Sequence, residues 1–518
     1  YMQVEQGDAF RLLAEENRVN LRLIPPTRGL IFDRTGRPIA ENAQNYRIVI
    51  VREEAGDLDA TFKKLRGLVP LSDEQVERAM REIERRSPFV PVTVADQLKW
   101  EDIAEVAVNA PALPGVTPEV GLTRYYPLKG DFAHVVGYVG PVSDYDLSQL
   151  EDPDPVLQIP EFQIGKVGVE KKLEPLLRGT AGTKRIEVNA VGRVMRELDR
   201  QEGDQGADIQ LTIDAKLQNF CQARMGEESA SAVVMDVRSG DVLACASAPS
   251  FDANLFVRGI SVPDYRALTE DDHRPLATKT VQGTYPPGST FKMLVAIAAV
   301  EAGVITPGET VYCPGHREVG GRRFHCWKRA GHGWMDMHDS IVQSCDVYYY
   351  ELAERVGIER IAAMARRFGL GERFDLPLSA VAEGLMPDKD WKRIRRGEDW
   401  VIGDSLNSAI GQGFVLASPL QLAVMTARLA TGEAIMPRLV KSVDGREQAV
   451  RTGGPMGLSP TLMSQVRKSM YDVNNHRRGT AYRSRIVAET MKIAGKTGTS
   501  QVRSVVVRNE DVPWEERD

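Results

Sequence analysis

Ser289 and Lys292 stand three residues apart in the segment Tyr285-Pro-Pro-Gly-Ser-Thr-Phe-Lys-Met-Leu-Val-Ala-Ile-Ala-Ala-Val300. Pro286, Pro287 and Gly288 end a loop, and the apolar run behind them predicts a helix starting at about Ser289. Residues three apart share a helix face. A serine hydroxyl at a helix N-terminus lies at the positive end of the dipole, which favours developing negative charge. A buried lysine gives up its proton readily and can then act as the base that activates such a serine. The pair is a candidate nucleophile and base for acyl transfer. Taken alone, Ser289 also reads as a plain N-cap, because S-x-x-K recurs by chance.

Two further segments change that reading. Ile341-Val-Gln-Ser-Cys-Asp-Val-Tyr-Tyr-Tyr350 sets Ser344 and Asp346 among apolar residues, and Met491-Lys-Ile-Ala-Gly-Lys-Thr-Gly-Thr-Ser500 predicts a strand carrying Lys496, Thr497 and Gly498. The order S-x-x-K, S-x-[N or D], K-T-G resembles that of penicillin-binding proteins and serine β-lactamases. Arg28-Gly-Leu-Ile-Phe-Asp-Arg-Thr-Gly36 resembles the first pedestal motif of class B penicillin-binding proteins, and Gly165-x-x-Gly-x-Glu170 with the stretch through Gly182 resembles the later ones. Ala248-Pro-Ser-Phe-Asp252 and Ala409-Ile-Gly-Gln-Gly413 match further landmarks, so the resemblance spans nearly the whole chain. Ser-Cys-Asp in the second motif and Trp327-Lys-Arg-Ala-Gly-His-Gly333 resemble the elongation type, the penicillin-binding protein 2 group. The division type usually carries Asn in the second motif and lacks this Cys/His segment.

The resemblance implies roles. Ser289 would attack the carbonyl between two D-alanines of a stem peptide, and Lys292 would take its proton. Ser344 would relay a proton to the departing amine. Lys496, Thr497, Gly498 and Thr499 would line the substrate, with Lys496, Thr497 and Thr499 on its terminal carboxylate. Backbone N–H groups of Ser289 and Thr499 would hold the oxyanion, worth roughly 3–4 kcal/mol each in serine hydrolases. Asp346 departs from the commoner Asn. A carboxylate there favours protonated Lys292, and Lys496 pushes the other way. We expect Asp346 to pair mainly with Lys292 and orient it.

Cys313, Cys326, His332 and Cys345 form a separate pattern, C-x12-C-x5-H-x12-C. Three cysteines and a histidine are a common closed set for structural zinc. The residues between them are rich in Gly, Arg and His, so a metal would staple a segment that cannot build a core. Cys345 lies between Ser344 and Asp346, and a metal on it could turn both neighbours toward the active site. A Cys313–Cys326 disulfide and three unrelated thiols remain open, and His316, His325 and His338 are alternative ligands. Cys221 and Cys245 read as buried small hydrophobes. No cofactor is implied for catalysis itself.

The elements that must position these residues can be read from patterning. Ala9–Leu23 reads as a charged amphipathic helix, then two short strands flank the turn Asp33-Arg-Thr-Gly36. Leu58–Leu68 and Ser72–Arg85 read as helices, the second with a capping box at Ser72-Asp-Glu-Gln75. Asp208–Asp214 alternates as a strand, a helix starts at Ala215, and Ser231–Val237 with Val242–Ser247 form a hairpin. The expected fold is α+β multidomain: an elongated mixed α/β N-terminal pedestal, then a penicillin-binding transpeptidase domain of antiparallel sheet flanked by helices. Residues 1–54 and 129–207 would form the outgoing and returning parts of the pedestal. Residues 55–128 would be its head subdomain, and 208–518 the transpeptidase domain.

The 518 residues carry a net charge of −6, with 42% hydrophobic and 27% charged residues, ordinary for a globular chain without a basic footprint for nucleic acid. Apolar runs such as Met293–Val300 fall far short of the roughly 20 residues of a membrane helix. Beside the resemblance, this reads as a removed N-terminal anchor, with the catalytic domain in the periplasm and the protein held in the inner membrane. The resemblance also implies two more strands and a helix after the K-T-G strand, so the C-terminal end reads as cut. Its implied partners are peptidoglycan stem peptides, β-lactams, a RodA-type SEDS glycosyltransferase and MreC-type elongation proteins. The implied activity is peptidoglycan D,D-transpeptidation in cell-wall elongation and rod-shape maintenance. The alternatives are a serine β-lactamase, or a β-lactam sensor or scaffold. A P-loop at Gly495-Lys-Thr497 is excluded because position 490 is Thr490, and neither G-x-S-x-G nor H-E-x-x-H occurs. Lys392–Arg396 and His476–Arg478 read as solvated charge.

Overall fold

The computed structural model describes residues 19–86, 88–159, 162–188 and 194–500. The chain divides into two compact units. The first comprises Tyr1–Gln210, Asp252–Tyr265 and Ser442–Arg446; the second comprises Leu211–Phe251, Arg266–Lys441 and Glu447–Asp518. No helix among the described residues is long and apolar enough to cross a membrane.

In the first unit, the strand Pro38–Ile50 pairs antiparallel along most of its length with Val116–Tyr125, from Glu41↔Tyr125 to Ile50↔Val116. Its other edge takes Ile31–Phe32 near the start and Val92–Leu98 near the end. The turn at Asp33–Gly36 is set by its residues: Asp33 Oδ1 accepts from the Thr35 and Arg37 main-chain N–H groups at 2.8 and 2.9 Å. The apolar ends of these strands, Ile48, Ile50 and Val94, bury against Phe62, Leu65, Ile83, Ile103 and Val106 of three helices. One of those helices, Asp73–Arg85, begins with the expected capping box, both bonds between Ser72 and Gln75 being present.

One expectation fails here. Residues 19–23 are not the end of a helix: Val19–Ile24 is a strand, paired antiparallel with Gly182–Val188 from Val19↔Glu187 to Ile24↔Gly182. Polarity alternating through Val19-Asn-Leu-Arg-Leu suits either period, and the partner strand decides it. Residues 9–18 of the expected helix lie outside the described residues.

The pedestal motifs meet in space. Glu170 is fully buried and takes Arg28 Nε at 2.7 Å on one carboxylate oxygen and Arg124 Nε at 2.7 Å on the other. Tyr126 OH donates to the same carboxylate at 3.2 Å, and Arg28 also pairs with Glu174 at 2.7 Å. Gly29 is required beside Arg28, because a Cβ there would lie 2.0 Å from the Ala207 carbonyl oxygen.

The second unit is built around the helix Lys292–Glu301, of which only Glu301 and Val300 are not buried. A helix apolar on every side belongs inside a core. Phe291, Leu294, Val295 and Ile297 join one cluster with Tyr348, Tyr349 and Leu352 of Asp346–Val356, Ile361 of Ile358–Arg367, and Val466 of Pro460–Asn475. The hairpin Ala230–Met235 with Val242–Ala248 forms as expected, beside the helix Ala215–Met225. Gln218 of that helix bonds the Cys245 main chain in both directions, at 2.8 and 3.2 Å.

The K-T-G segment departs from expectation. Residues 491–500 run without a strand ladder among the described residues. Isolated bonds hold the segment instead: Gly495 N–H donates to Met470 O at 3.0 Å, and Asn475 Nδ2 to Ile493 O at 2.9 Å. A strand is defined by its ladder partner, and here the helix Pro460–Asn475 supplies the partners that a neighbouring strand would.

Candidate active site

Gly288–Phe291 is a 3-10 turn leading directly into the helix Lys292–Glu301, so the predicted helix start is right and its first turn is tighter. Gly288 has φ +57, and a Cβ there would lie 2.4 Å from the Thr499 carbonyl oxygen. That glycine lets the K-T-G segment lie against the serine turn. Gly288 N–H donates to Gly411 O at 2.9 Å, which brings in the Ala409–Gly413 landmark.

Lys292 is wholly buried, and an ammonium there must be paired. Its Nζ donates to Asp346 Oδ1 at 2.7 Å, to Ser344 O at 3.0 Å and to Ser344 Oγ at 3.3 Å, with the Tyr349 ring 5.4 Å away. The expected Lys292–Asp346 pair is therefore present. Ser289 is half-buried, and its hydroxyl has no hydrogen-bond partner among the described residues.

Ser344 sits between the helices Met337–Val342 and Asp346–Val356 with φ +54, a conformation serine adopts at a cost of roughly 1–2 kcal/mol. The kink places the Ser344 hydroxyl between two amines: Lys292 Nζ and, at 2.9 Å, Lys496 Nζ. Cys345, the next residue, is extended and fully buried in the cysteine cluster. Burial, then the neighbouring Lys292 cation, lowers the Lys496 amine to about 7, against the opposing pull of Asp346. Thr497 Oγ1 lies 2.8 Å from Thr480 Oγ1, and Thr499 O accepts from Gln412 Nε2 at 2.7 Å. The structure thus brings Lys292, Ser344, Asp346 and Lys496 into one bonded group, with Ser289 on the turn just before Lys292.

The ligating atoms of Cys313, Cys326, His332 and Cys345 all lie within 4.8 Å of one another. Two hairpins achieve this. Val311–Cys313 pairs with Gly333–Met335, with His332 N–H on Cys313 O at 3.1 Å. His316–Val319 pairs with Arg322–His325, after which Cys326 N–H donates to Gly315 O at 2.9 Å. His332 Nδ1 lies 3.5 Å from Cys326 Sγ and 3.7 Å from Cys313 Sγ. Hydrogen bonds from the Cys326 and Cys345 thiols hold the Cys313 thiol well below its usual value. None of the five cysteines is in a disulfide. The donor set, four soft or borderline ligands closing on one point, fits a structural zinc. The other histidines lie elsewhere: His316 and His325 face each other across their hairpin, and His338 bonds Asp339 and Asp472.

The cluster touches this bonded group directly. Asp346 N–H donates to Cys326 Sγ at 3.3 Å, and the residue after Cys326, Trp327, bonds Asp346 and Ser344. Sequence reading missed Trp327, Gln412 and Thr480. Trp327 comes directly after a ligand and Gln412 lies inside a landmark motif, so both carried a positional signal; Thr480 carried none.

The family model described as Penicillin binding protein transpeptidase domain matches residues 230–512, and that described as Penicillin-binding Protein dimerisation domain matches residues 23–211. The chain is 34% identical over 513 residues to the peptidoglycan D,D-transpeptidase MrdA of Acinetobacter baumannii, covering 98% of this chain and 75% of that one. It resembles the crystal structure of Pseudomonas aeruginosa PBP2 in complex with WCK 5153 at 33% identity and TM-score 0.71, covering 93% of this chain and 86% of that one. It resembles PBP2 in the PBP2–MreC complex from Helicobacter pylori at 29% identity and TM-score 0.80, covering 93% and 90%.

Proposed function

The chain belongs to the penicillin-binding protein transpeptidases, and from that premise we propose that it is an elongation-type peptidoglycan D,D-transpeptidase acting through an acyl-enzyme on Ser289. The observation that carries the residue assignment is the Ser344 hydroxyl, 3.3 Å from Lys292 Nζ and 2.9 Å from Lys496 Nζ. It gives a proton two amines to move between. Lys292 must be neutral when Ser289 attacks. Its proton has a route through Ser344 to Lys496, whose amine titrates at about 7.

Neutral Lys292 removes the Ser289 hydroxyl proton as Oγ bonds to the carbonyl carbon of the penultimate D-alanine. The Ser289 and Thr499 N–H groups hold the resulting oxyanion. Collapse breaks the peptide bond, and the departing D-alanine nitrogen takes a proton from Lys292 through Ser344. Lys496, Thr497 and Thr499, around Gly498, hold the terminal carboxylate throughout. An acceptor amine from a neighbouring strand then repeats the sequence in reverse and frees Ser289. A β-lactam enters the same way and stays as the acyl-enzyme.

Transpeptidation and β-lactamase action are told apart by the fate of the acyl-enzyme. Nitrocefin should give a burst of about one equivalent per chain and then near silence. A stem-peptide donor with an amine acceptor should yield the cross-linked amide. Sustained rapid nitrocefin turnover would contradict the assignment.

Cys313, Cys326, His332 and Cys345 would hold a structural zinc ion, which supplies cross-linking of the two hairpins and no chemistry of the reaction. Purified protein should contain close to one zinc per chain. Stripping it with a chelator should lower Tm and slow acylation together, because Cys345 and Cys326 are tied to Ser344 and Asp346. Much less than one zinc, with unchanged acylation, would exclude the site.

The same family reading makes residues 1–207 a pedestal and 208–518 the catalytic domain, facing the periplasm from an inner-membrane anchor. Its partners would be MreC-type proteins and a RodA-type SEDS glycosyltransferase. The PBP2–MreC complex from Helicobacter pylori supports the first of these.

A further inference from the structure

We propose that Trp327 is a positioning residue for the catalytic lysine, acting through the two groups that hold its amine. This rests on the reading of Lys292 as the base. Lys292 Nζ is fixed by two acceptors besides the relay hydroxyl: Asp346 Oδ1 and Ser344 O. Trp327 holds both. Its main-chain N–H donates to the other carboxylate oxygen, Asp346 Oδ2, at 2.8 Å. Its indole Nε1 donates to Ser344 O and Gln343 O, each at 3.1 Å.

Packing does not demand a tryptophan here. The residue is 60% exposed, and its ring meets the edge of His332, at 5.4 Å and 64°. Burial of so exposed a ring contributes little, whereas its indole donor reaches a strained peptide. Without the indole, Ser344 O would keep only the Lys292 amine of its two donors, and the φ +54 conformation, which nothing intrinsic to serine favours, would be held less firmly.

The consequence for chemistry lies in the tetrahedral amine. Neutral Lys292 has two N–H bonds and one lone pair. With the N–H groups on Asp346 Oδ1 and Ser344 O, the lone pair takes the remaining direction, toward the relay hydroxyl Ser344 Oγ at 3.3 Å. Fixing both acceptors fixes that direction, and such alignment supplies rate without adding affinity for the ligand. Trp327 acts through these two acceptors. It keeps the base aimed.

The test is stopped-flow acylation by nitrocefin, which separates the acylation rate constant k2 from the Kd of the initial complex. Three variants are compared with wild type: Trp327→Phe, replacement of Trp327 by its benzothienyl analogue, and Trp334→Phe. The analogue keeps the shape of indole but carries no N–H, so it avoids a folding defect. Trp334 is an equally exposed tryptophan of the neighbouring hairpin, set against Tyr312 at 5.3 Å. Both Trp327 replacements should lower k2 about tenfold, the worth of a good hydrogen bond, with Kd unchanged. In the analogue, Tm and metal content should match wild type, and Trp334→Phe should behave as wild type throughout. An analogue with wild-type k2 overturns the proposal. So does a k2 loss that appears only together with lost Tm or metal. A wild-type protein that nitrocefin never acylates overturns the transpeptidase reading itself.

Discussion

Lys292→Met should abolish acylation by penicillin, a loss of about a thousandfold or more, and should also destabilise the second unit by roughly 3 kcal/mol. The two effects have different causes. The rate falls because the base is gone. Stability falls because Asp346, nearly as buried as the lysine, keeps a carboxylate without its ammonium partner. The loss sits at the low end for a broken buried pair because Trp327 N–H still donates to Asp346 Oδ2. Combining Lys292→Met with Asp346→Asn removes the orphaned charge and keeps an acceptor for Trp327. The double variant should regain most of the stability and none of the acylation. Denaturant unfolding and fluorescent-penicillin labelling read the two separately. A single variant that labels at the wild-type rate, or a double variant no more stable than the single, contradicts this account of the pair.

Glu170→Ala should cost about 3–5 kcal/mol in the first unit, because it takes the carboxylate from the buried Arg124 guanidinium and leaves Arg28 with Glu174 in its place. Glu170→Gln should cost less, since the amide oxygen still accepts one N–H. The pH dependence comes from the carboxyl itself. Burial alone would raise its pKa, but Arg124 and Arg28 hold it below the ordinary carboxylate range. A lowered folded-state pKa means the contribution is complete above the unfolded value, about 4.3, and is lost as pH falls through the folded one. Acid unfolding should therefore begin below about pH 4 in wild type, and the Gln variant should lack that component. Thermal unfolding of both proteins across the acid range, from about pH 3 to neutral, checks this. A Gln variant with the same acid slope would place the acid sensitivity elsewhere.

A physical division separates the features legible in the sequence from those that are not. The Ser289-x-x-Lys292 spacing is legible because a helix has a fixed period, and the apolar run after it can only be a buried helix. The Cys313, Cys326, His332 and Cys345 group is legible because the residue types allow little else together. The pairing of Lys292 with Asp346 is a matter of charge. The rest depends on paths the sequence does not encode locally. Val19–Ile24 is a strand only because Gly182–Val188, far along the chain, lies beside it. The K-T-G segment looks like a strand by composition, yet its bonds go to the helix Pro460–Asn475. Trp327 reaches Ser344 because Ser344 takes a left-handed backbone, which no spacing rule predicts for serine.

The central claim is that Ser289 carries the acyl group, with Lys292, Ser344 and Lys496 arranged to move its proton. Intact-mass spectrometry after penicillin treatment, with peptide mapping of the product, tests it most directly. The account predicts one stable adduct of the mass of penicillin per chain. It should map to the peptide containing Ser289 and be absent from Ser289→Ala. An adduct on another residue, or one that persists in Ser289→Ala, would contradict it.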